Sequence, residues 1–495
     1  MNLLLPLILL LPFGAAIAIL LGSKARKTAL FASGAALALT VLAIGNYSQS
    51  TGGFQLQNRF PIIPEWNLSF FLGVDGLSLA MVLLSSLVTF AAIWATPKVE
   101  KWENLFYACL LFISAGAIGA FLSLDLFFFY AFHELALIPT FLLIGIWGSG
   151  EKQQAAWQIT IYLAIGSIIL LAGLIGVYLA VPFDQRTFDI PELQRIAQTS
   201  AFLPAKWIFP TLLIGFGILV SLFPFHSWAP KAYASAPAPA AMLHAGVLKK
   251  FGLYGMLRIA LPLFPAGIQQ YDYLILALLI GNILFVGWAT MAQKQLDTIL
   301  GYSSVMHMGY IYLGIVSMTA AGLNGAALLM FAHGLSIAAL FAMSGMIREQ
   351  TGTLELSDLG GIGKRAPILM FCFGLATFAS IGLPGFGNFA AETMVFFGAF
   401  SGGFESNAFS FGQFNFHQVS TIIGLWGVVI SAIYMLRAYR KIFMGDLVSR
   451  WTSVADISLM ARLPLILLIA GLFFCGLFPQ SFLNLVGPTL SHLLP

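Results

Sequence analysis

Apolar runs of about twenty residues recur from one end of this 495-residue chain to the other, and that recurrence decides what it can fold into. A run of that length is what a helix needs to cross the hydrocarbon core of a bilayer. Only 8% of the residues are charged and 59% are hydrophobic, which excludes a soluble globular fold. Lipid offers no hydrogen bonds, so a spanning chain must satisfy its own backbone as helices or as a closed barrel. The period-two alternation of a barrel is absent. The sequence therefore predicts an all-α polytopic membrane protein. The first run, NLLLPLILLLPFGAAIAILLG, lacks a basic leader and is long enough to span, so it reads as a retained helix rather than a signal peptide.

About fourteen transmembrane helices can be drawn, with cores near 3–22, 28–46, 76–96, 104–121, 125–147, 156–181, 207–229, 238–262, 273–291, 298–317, 323–346, 367–401, 419–440 and 463–485. Charge placement tests that count. With the KARK loop after the first span taken as cytoplasmic, one side collects Lys24, Arg26, Lys27, Lys98, Lys101, Lys152, Lys231, Lys294, Arg348, Lys364, Arg365, Arg437, Arg440, Lys441, Arg450 and Arg462. The other side receives only Arg59, Arg186, Arg195 and Lys206. This is the positive-inside pattern, and a span missed in mid-chain would destroy it. It places both termini on the outer, positive-potential side.

Two spans are broken by composition. Segment 207–236 carries Pro210, Pro224 and Pro230, and segment 367–401 carries SIGLPGFGNFAAE in its interior. Such breaks free backbone groups that lipid cannot satisfy, so they belong inside protein or beside a polar cavity. A matched pair of interrupted helices points to an internally repeated transporter with its ion site near the midplane.

The ionisable residues inside spans are few: Glu134, Glu392, Lys249, Lys250 and Arg258, with His133, His226, His244, His307 and His333. A charge at the bilayer centre costs at least about 2.5–3.5 kcal/mol. Burial disfavours the charged form of any such group, and groups held near neutrality exchange protons as relays in pumps require. Lys250, Tyr254 and Arg258 lie four apart and form one stripe; Tyr130 precedes Glu134, and Asn388 precedes Glu392, by the same spacing. The bland readings are hydrogen-bonded packing for His133 and His244, and a snorkelling side chain for Arg258 near a helix end. Lys249 and Lys250 point about 100° apart, so one of them reaches an edge or a neighbouring helix. Loops 182–206 and 348–366 are polar and read as solvated.

The chain offers no cofactor or metal site of its own. Cys109, Cys372 and Cys475 are isolated in apolar runs, with no CxxC, no haem attachment pattern and no Rossmann or Walker glycines. A net charge of +4 spread this way is not a nucleic-acid signature.

The motifs GVDGLSL (73–79), HELALIPTFLLIGIWG (133–148), PFHSWAPKAYASAPAPAAMLHAGVLKKFGLYG (224–255), GYSSVMHMG (301–309), FAHGLSIAALF (331–341) and LPGFGNFAAE (383–392) resemble the antiporter-like membrane subunits of respiratory complex I. Within that group the chain is most similar to the M-type, because L- and N-type relatives usually carry Lys where Glu392 stands. The resemblance runs from about residue 73 to 445. It implies two inverted five-helix repeats with helices 7 and 12 broken. The divisions are then 1–103 for helices 1–3, 104–262 for the first repeat, 263–445 for the second and 446–495 for helix 14.

By motif match the resemblance implies that Glu134, Lys250 and Glu392 carry protons, with His307 and His333 on the axis between them. NADH, FMN, Fe–S clusters and quinone are expected on partner subunits, among L-, N- and K-type chains. The setting it implies is a bacterial inner membrane, or a thylakoid or organelle inner membrane. Two departures stand out. The lysine usually found five residues before the PxHxW proline is Leu219, and the Asp that usually follows WxP is Lys231, so Lys231 or His226 is expected to take over part of the missing role. The usual basic residues before YSSV are Asp297 and Thr298. The expected function is a proton-translocating subunit of an NADH:quinone oxidoreductase. The alternatives are a cation/proton antiporter subunit of an Mrp-type or hydrogenase-linked carrier, or a spacer that has lost pumping.

Overall fold

A computed structural model describes residues 3–49, 52–199, 205–402, 410–411 and 414–494. Residues 200–204 of the polar loop 182–206 lie outside the described residues. The chain is mostly helical. In order, the helices are α1 (Leu4–Leu20), α2 (Ala25–Asn46), α3 (Gly76–Ala95), α4 (Glu103–Leu122), α5 (Leu126–Leu135), α6 (Leu137–Trp147), α7 (Lys152–Ala180), α8 (Ile190–Thr199), α9 (Ala205–Val220), α10 (Trp228–Ser235), α11 (Ala238–Leu243), α12 (Lys250–Gly255), α13 (Leu261–Leu263), α14 (Pro265–Ile280), α15 (Val286–Ala292), α16 (Leu296–Val316), α17 (Ala320–Thr351), α18 (Pro367–Ile381), α19 (Gly387–Gly402), α20 (Phe416–Phe443), α21 (Leu459–Leu477) and α22 (Pro479–Ser491). Among the described residues ten helices, some formed by joined segments, are long and apolar enough to cross a membrane, and three shorter apolar helices of 10–17 residues accompany them.

The bundle sorts by which faces are apolar. α16 and α17 are apolar nearly all round and almost wholly buried, so they form its centre, packed on each other and on α19. α7 buries one side against α9 and leaves Trp157, Ile161, Ile165 and Ile168 exposed, the face lipid would cover. Similar outward faces mark α2, α20 and α21.

The interruptions follow from proline chemistry. Pro139 has no N–H to give the Leu135 carbonyl, and α5 stops at Leu135 before α6 begins. α9 ends at Val220, where Ser221 turns through φ +65°. The loose backbone of that break is held by side chains: Trp228 Nε1 donates to Ile218 O at 3.1 Å, while Asn282 accepts from the Phe223 N–H and donates to Val305 O at 2.9 Å. Pro479 likewise ends α21, so the run drawn as one span over 463–485 is two helices, α21 and α22. The stretch around Lys250 is helical throughout, but its turns widen to π geometry over His244–Leu248 and again over Met256–Ala260.

The expectation of helices alone needs correction in the connections. β1 (Gln55–Ile63) and β2 (Leu68–Val74) pair antiparallel, with Arg59 opposite Phe71 and Phe60 opposite Phe70. A second short hairpin pairs β3 (Ser410–Phe411) with β4 (Phe414–Asn415). The polar loops are also better ordered than solvated loops. Loop 182–206 forms α8, which buries Ile190, Leu193 and Ile196 at helical spacing, and loop 348–366 buries Leu354, Leu356, Leu359 and Ile362.

Candidate functional site

Four ionisable side chains from four helices meet in the middle of the bundle. Lys250, between the two π segments, is fully buried and donates from Nζ to Ala245 O at 2.6 Å and to His333 Nδ1 at 3.0 Å. A lysine ammonium only donates, whereas an imidazole nitrogen can accept or donate. The contact is therefore satisfied with the proton on either partner. His333, on α17, faces the ring of His307 on α16 at 5.1 Å between centroids. His307 Nε2 lies 3.9 Å from Glu392 Oε1 on α19.

The break between α18 and α19 shapes the far end of this line. α18 stops at Gly382, whose φ of +79° suits glycine. Stopping there frees the Ser380 carbonyl, and it contacts His307 Nε2 at 3.0 Å, while His307 Nδ1 meets Ser303 O at 2.7 Å. His307 thus has a backbone carbonyl at each ring nitrogen, with the Glu392 carboxyl beside it. Glu392 is 5% exposed and packs directly over Gly382, where any side chain would displace it.

Among the described residues, several buried polar atoms along the line have no hydrogen-bond partner: His333 Nε2, Glu392 Oε1, Tyr310 OH and both amide atoms of Asn388. Leaving such a group unmet costs about 1–3 kcal/mol. Ordered water is what meets buried groups of this kind in protein interiors.

Lys249 is also buried, and it reaches a neighbouring helix, donating to Ser304 Oγ on α16 at 3.4 Å and lying 5.3 Å above the Tyr233 ring. His244 contacts Tyr233 OH through Nδ1 at 3.5 Å. His133 is buried and stacks on Phe251 at 4.1 Å with both ring nitrogens unpaired, so it is packing without the hydrogen bonds expected of it.

Glu134 lies off the central line, half-buried on α5. Ser167 and Tyr130 hydroxyls face its carboxyl, but Glu134 Oε1 and Ser167 Oγ stop short of hydrogen-bond geometry. Leu219 packs on Gly166, one residue from Ser167. Hydroxyls therefore stand where a lysine partner was looked for. Among the described residues Glu134 makes no ion pair, and neither proposed substitute reaches it. Lys231 is exposed, lining a cavity of about 510 Å³ with Glu151 and Gln154, and His226 stacks on Phe223 and meets Phe285.

The snorkelling reading of Arg258 is wrong. Arg258 is 5% exposed and forms a bidentate pair with Asp75, at 2.6 and 2.7 Å, while its Nε donates to Tyr254 OH at 3.2 Å. Asp75 also caps α3 through the Ser78 N–H. Asp75 and Asp297 are further buried acids at the starts of spans, where charge is cheap; Asp297 stands out in the sequence only as a departure before YSSV. The capping pattern in VDGLS was the available signal for Asp75. Among the described residues no group of three or more His, Cys, Asp or Glu side chains could hold a metal ion.

Comparison with known proteins agrees with this architecture. Residues 123–438 match the family model described as NADH:quinone oxidoreductase/Mrp antiporter, TM. A Synechocystis NAD(P)H-quinone oxidoreductase chain 4-2 is 38% identical over 81% of this chain and 70% of its own length. Subunit M of the Rickettsia conorii NADH-quinone oxidoreductase is 30% identical over 92% of this chain and 89% of its own. A chain of the Thermus thermophilus respiratory complex I, solved with bound NADH, superposes with a TM-score of 0.87 at 27% identity, covering 99% of this chain and all of that one. This integral, multi-pass membrane chain belongs to the NADH:quinone oxidoreductase/Mrp antiporter family of membrane subunits, as an M-type member.

Proposed function

We propose that this chain is a proton-translocating membrane subunit of a complex I-type NADH:quinone oxidoreductase, an enzyme component by membership in that assembly. Electron transfer from NADH through FMN and Fe–S clusters to quinone takes place on partner subunits, and redox-driven changes there bias protons held here. The observation that carries this reading is the buried line Lys250–His333–His307–Glu392, four titratable groups from four helices, whose Lys250–His333 contact is satisfied with the proton on either partner. Glu134, half-buried and faced by hydroxyls, suits a station at a lateral contact with the next membrane subunit, of L-, N- or K-type. His226, packed between Phe223 and Phe285, and the exposed Lys231 serve the same half.

The reading includes fourteen spans in two inverted repeats, 104–262 and 263–445, flanked by 1–103 and 446–495, with both termini on the outer side of a bacterial, thylakoid or organelle inner membrane. The antiporter reading draws on the shared family description. The relatives at 30% identity or more reported above are quinone oxidoreductase chains, and they favour the first. The test is quinone-linked proton pumping by the intact complex in sealed vesicles. Lys250→Met and Glu392→Gln are each expected to lower protons moved per electron while quinone reduction under uncoupled conditions continues. Wild-type stoichiometry in both variants would refute the role given to the line.

A further inference from the structure

The cytoplasmic end of the bundle, as the positive-inside pattern assigns it, holds a buried carboxylate that the line above does not use. Asp297, in the first turn of α16, is 6% exposed. It pairs with Arg348 of α17 at 2.6 Å and accepts from the Ser344 hydroxyl. Arg348 is itself tied to Ser149 Oγ at 2.6 Å and to Ala234 O at 3.2 Å. Two cavities flank this cluster. One, of about 480 Å³, has Asp297 and Arg348 in its wall with Lys98, Lys101 and Met242. The other, of about 510 Å³, has Arg348 and Ser149 in its wall with Lys231 and Thr298. The Arg348 side chain thus stands between them.

A clamp joining α10, α16 and α17 would need such an ion pair and nothing more. Two observations go beyond a clamp. Asp297 faces a cavity large enough for many waters. It also shares a face of α16 with Ser304, two turns and about 10 Å further on. Ser304 is the residue to which Lys249 donates, and Lys249 is 1% exposed, so its amine exchanges protons with bulk water only through intermediaries.

We propose that Asp297 is the proton-intake carboxylate of this chain, taking a proton from hydronium in the 480 Å³ cavity and passing it along α16 to the Lys249 amine. In the first step the carboxylate becomes a neutral carboxylic acid and hydronium becomes water. In the second the proton moves by way of ordered water and the Ser304 hydroxyl to neutral Lys249, which becomes an ammonium. The carboxylate is restored and pairs again with Arg348. Arg348 holds its other two bonds throughout, so the pair opens and closes while α17 stays tied to Ser149 and α10.

The inference rests on the proton-translocating reading, and the experiment separates the two. The intact complex is reconstituted carrying Asp297→Asn, Asp297→Glu, Lys249→Met or Lys250→Met, and protons per electron are measured beside the amount of assembled complex. Asp297→Asn keeps an acceptor for Arg348 but cannot carry a proton. It should assemble normally, lose proton flux per electron as Lys249→Met does, and be rescued by Asp297→Glu. A Met346→Cys probe, in the partly exposed wall of the 480 Å³ cavity, should react with an impermeant thiol reagent from the cytoplasmic face, against three buried native cysteines. Wild-type flux in Asp297→Asn alongside a defective Lys250→Met overturns the intake role alone. So does an Asp297→Asn defect matched by equal loss of assembly, which is a clamp, or a Met346→Cys probe that stays unreactive. Wild-type flux in Lys250→Met overturns the underlying reading.

Discussion

Glu392 stands where it does because Gly382 gives it room. The residue at 382 must adopt φ +79° and must leave the space the carboxyl occupies. Gly382→Ala therefore combines the strain of a left-handed alanine, about 1–2 kcal/mol, with displacement of Glu392 from His307. The expected outcome is a modest loss of assembled complex and a larger loss of protons per electron; an unaltered ratio would contradict the placement. At this scale the sequence spoke clearly wherever a charge interrupted an apolar run, as at Glu134, Lys250 and Glu392. It was silent at Asp75, and marked Asp297 only as a departure before YSSV, since position at the start of a span alone explains such a charge. It misled at Arg258, because the partner is 183 residues away and no local pattern links them. The missing lysine partner at Leu219 was legible, but that hydroxyls face Glu134 instead depended on how α5 meets α7.

Among the elements, the outer hairpin was hidden in sequence by Pro61 and by a run, NLSFFLGV, with no clean alternation. It is held to the bundle through Asp125, which caps α5 by accepting from the Phe127 and Phe128 N–H groups and also meets the Ser69 N–H of β2. Burial raises the Asp125 carboxyl from 3.8 to about 7, against the pull of those N–H groups and with nearby Asp189 adding to the rise. Asp189 is raised as well, because its burial outweighs the Arg59 pairing at 3.1 Å. A carboxyl that holds its proton more tightly folded than unfolded stabilises most below its unfolded value, and the contribution is lost as pH rises through the folded value. Hydrogen-exchange protection of residues 55–74 is therefore expected to fall as pH rises from about 4 to about 7, and Asp125→Asn should flatten the curve. Protection that grows over this window would contradict the assignment.

Across the whole molecule, the Asp75–Arg258 pair ties the start of α3 to the end of the Lys250 stripe, roofed by Phe54 at 4.8 Å from the guanidinium. Removing one partner of a buried pair leaves an uncompensated charge and costs about 3–5 kcal/mol, whereas replacing both with apolar residues can be neutral. Asp75→Asn and Arg258→Met alone should each lower the yield and thermal stability of the complex, and Asp75→Leu with Arg258→Met should recover much of the loss. Equal defects in single and double variants would assign the pair a role other than cohesion. The general plan of a multi-pass helical bundle with two broken helices was readable from runs and prolines. The π segments were not, since nothing in HAGVL or MLRIA marks where a turn widens. Their consequence concerns the adjacent lysines. A wide turn takes in one extra residue without advancing the helix face, so Lys250 occupies the angular place that residue 249 would hold in a regular α-helix. If the turn over His244–Leu248 closes, Lys249 rotates into that place beside His333 and Lys250 turns away. The two adjacent amines thus differ by one residue step of register, about 100° around the helix axis.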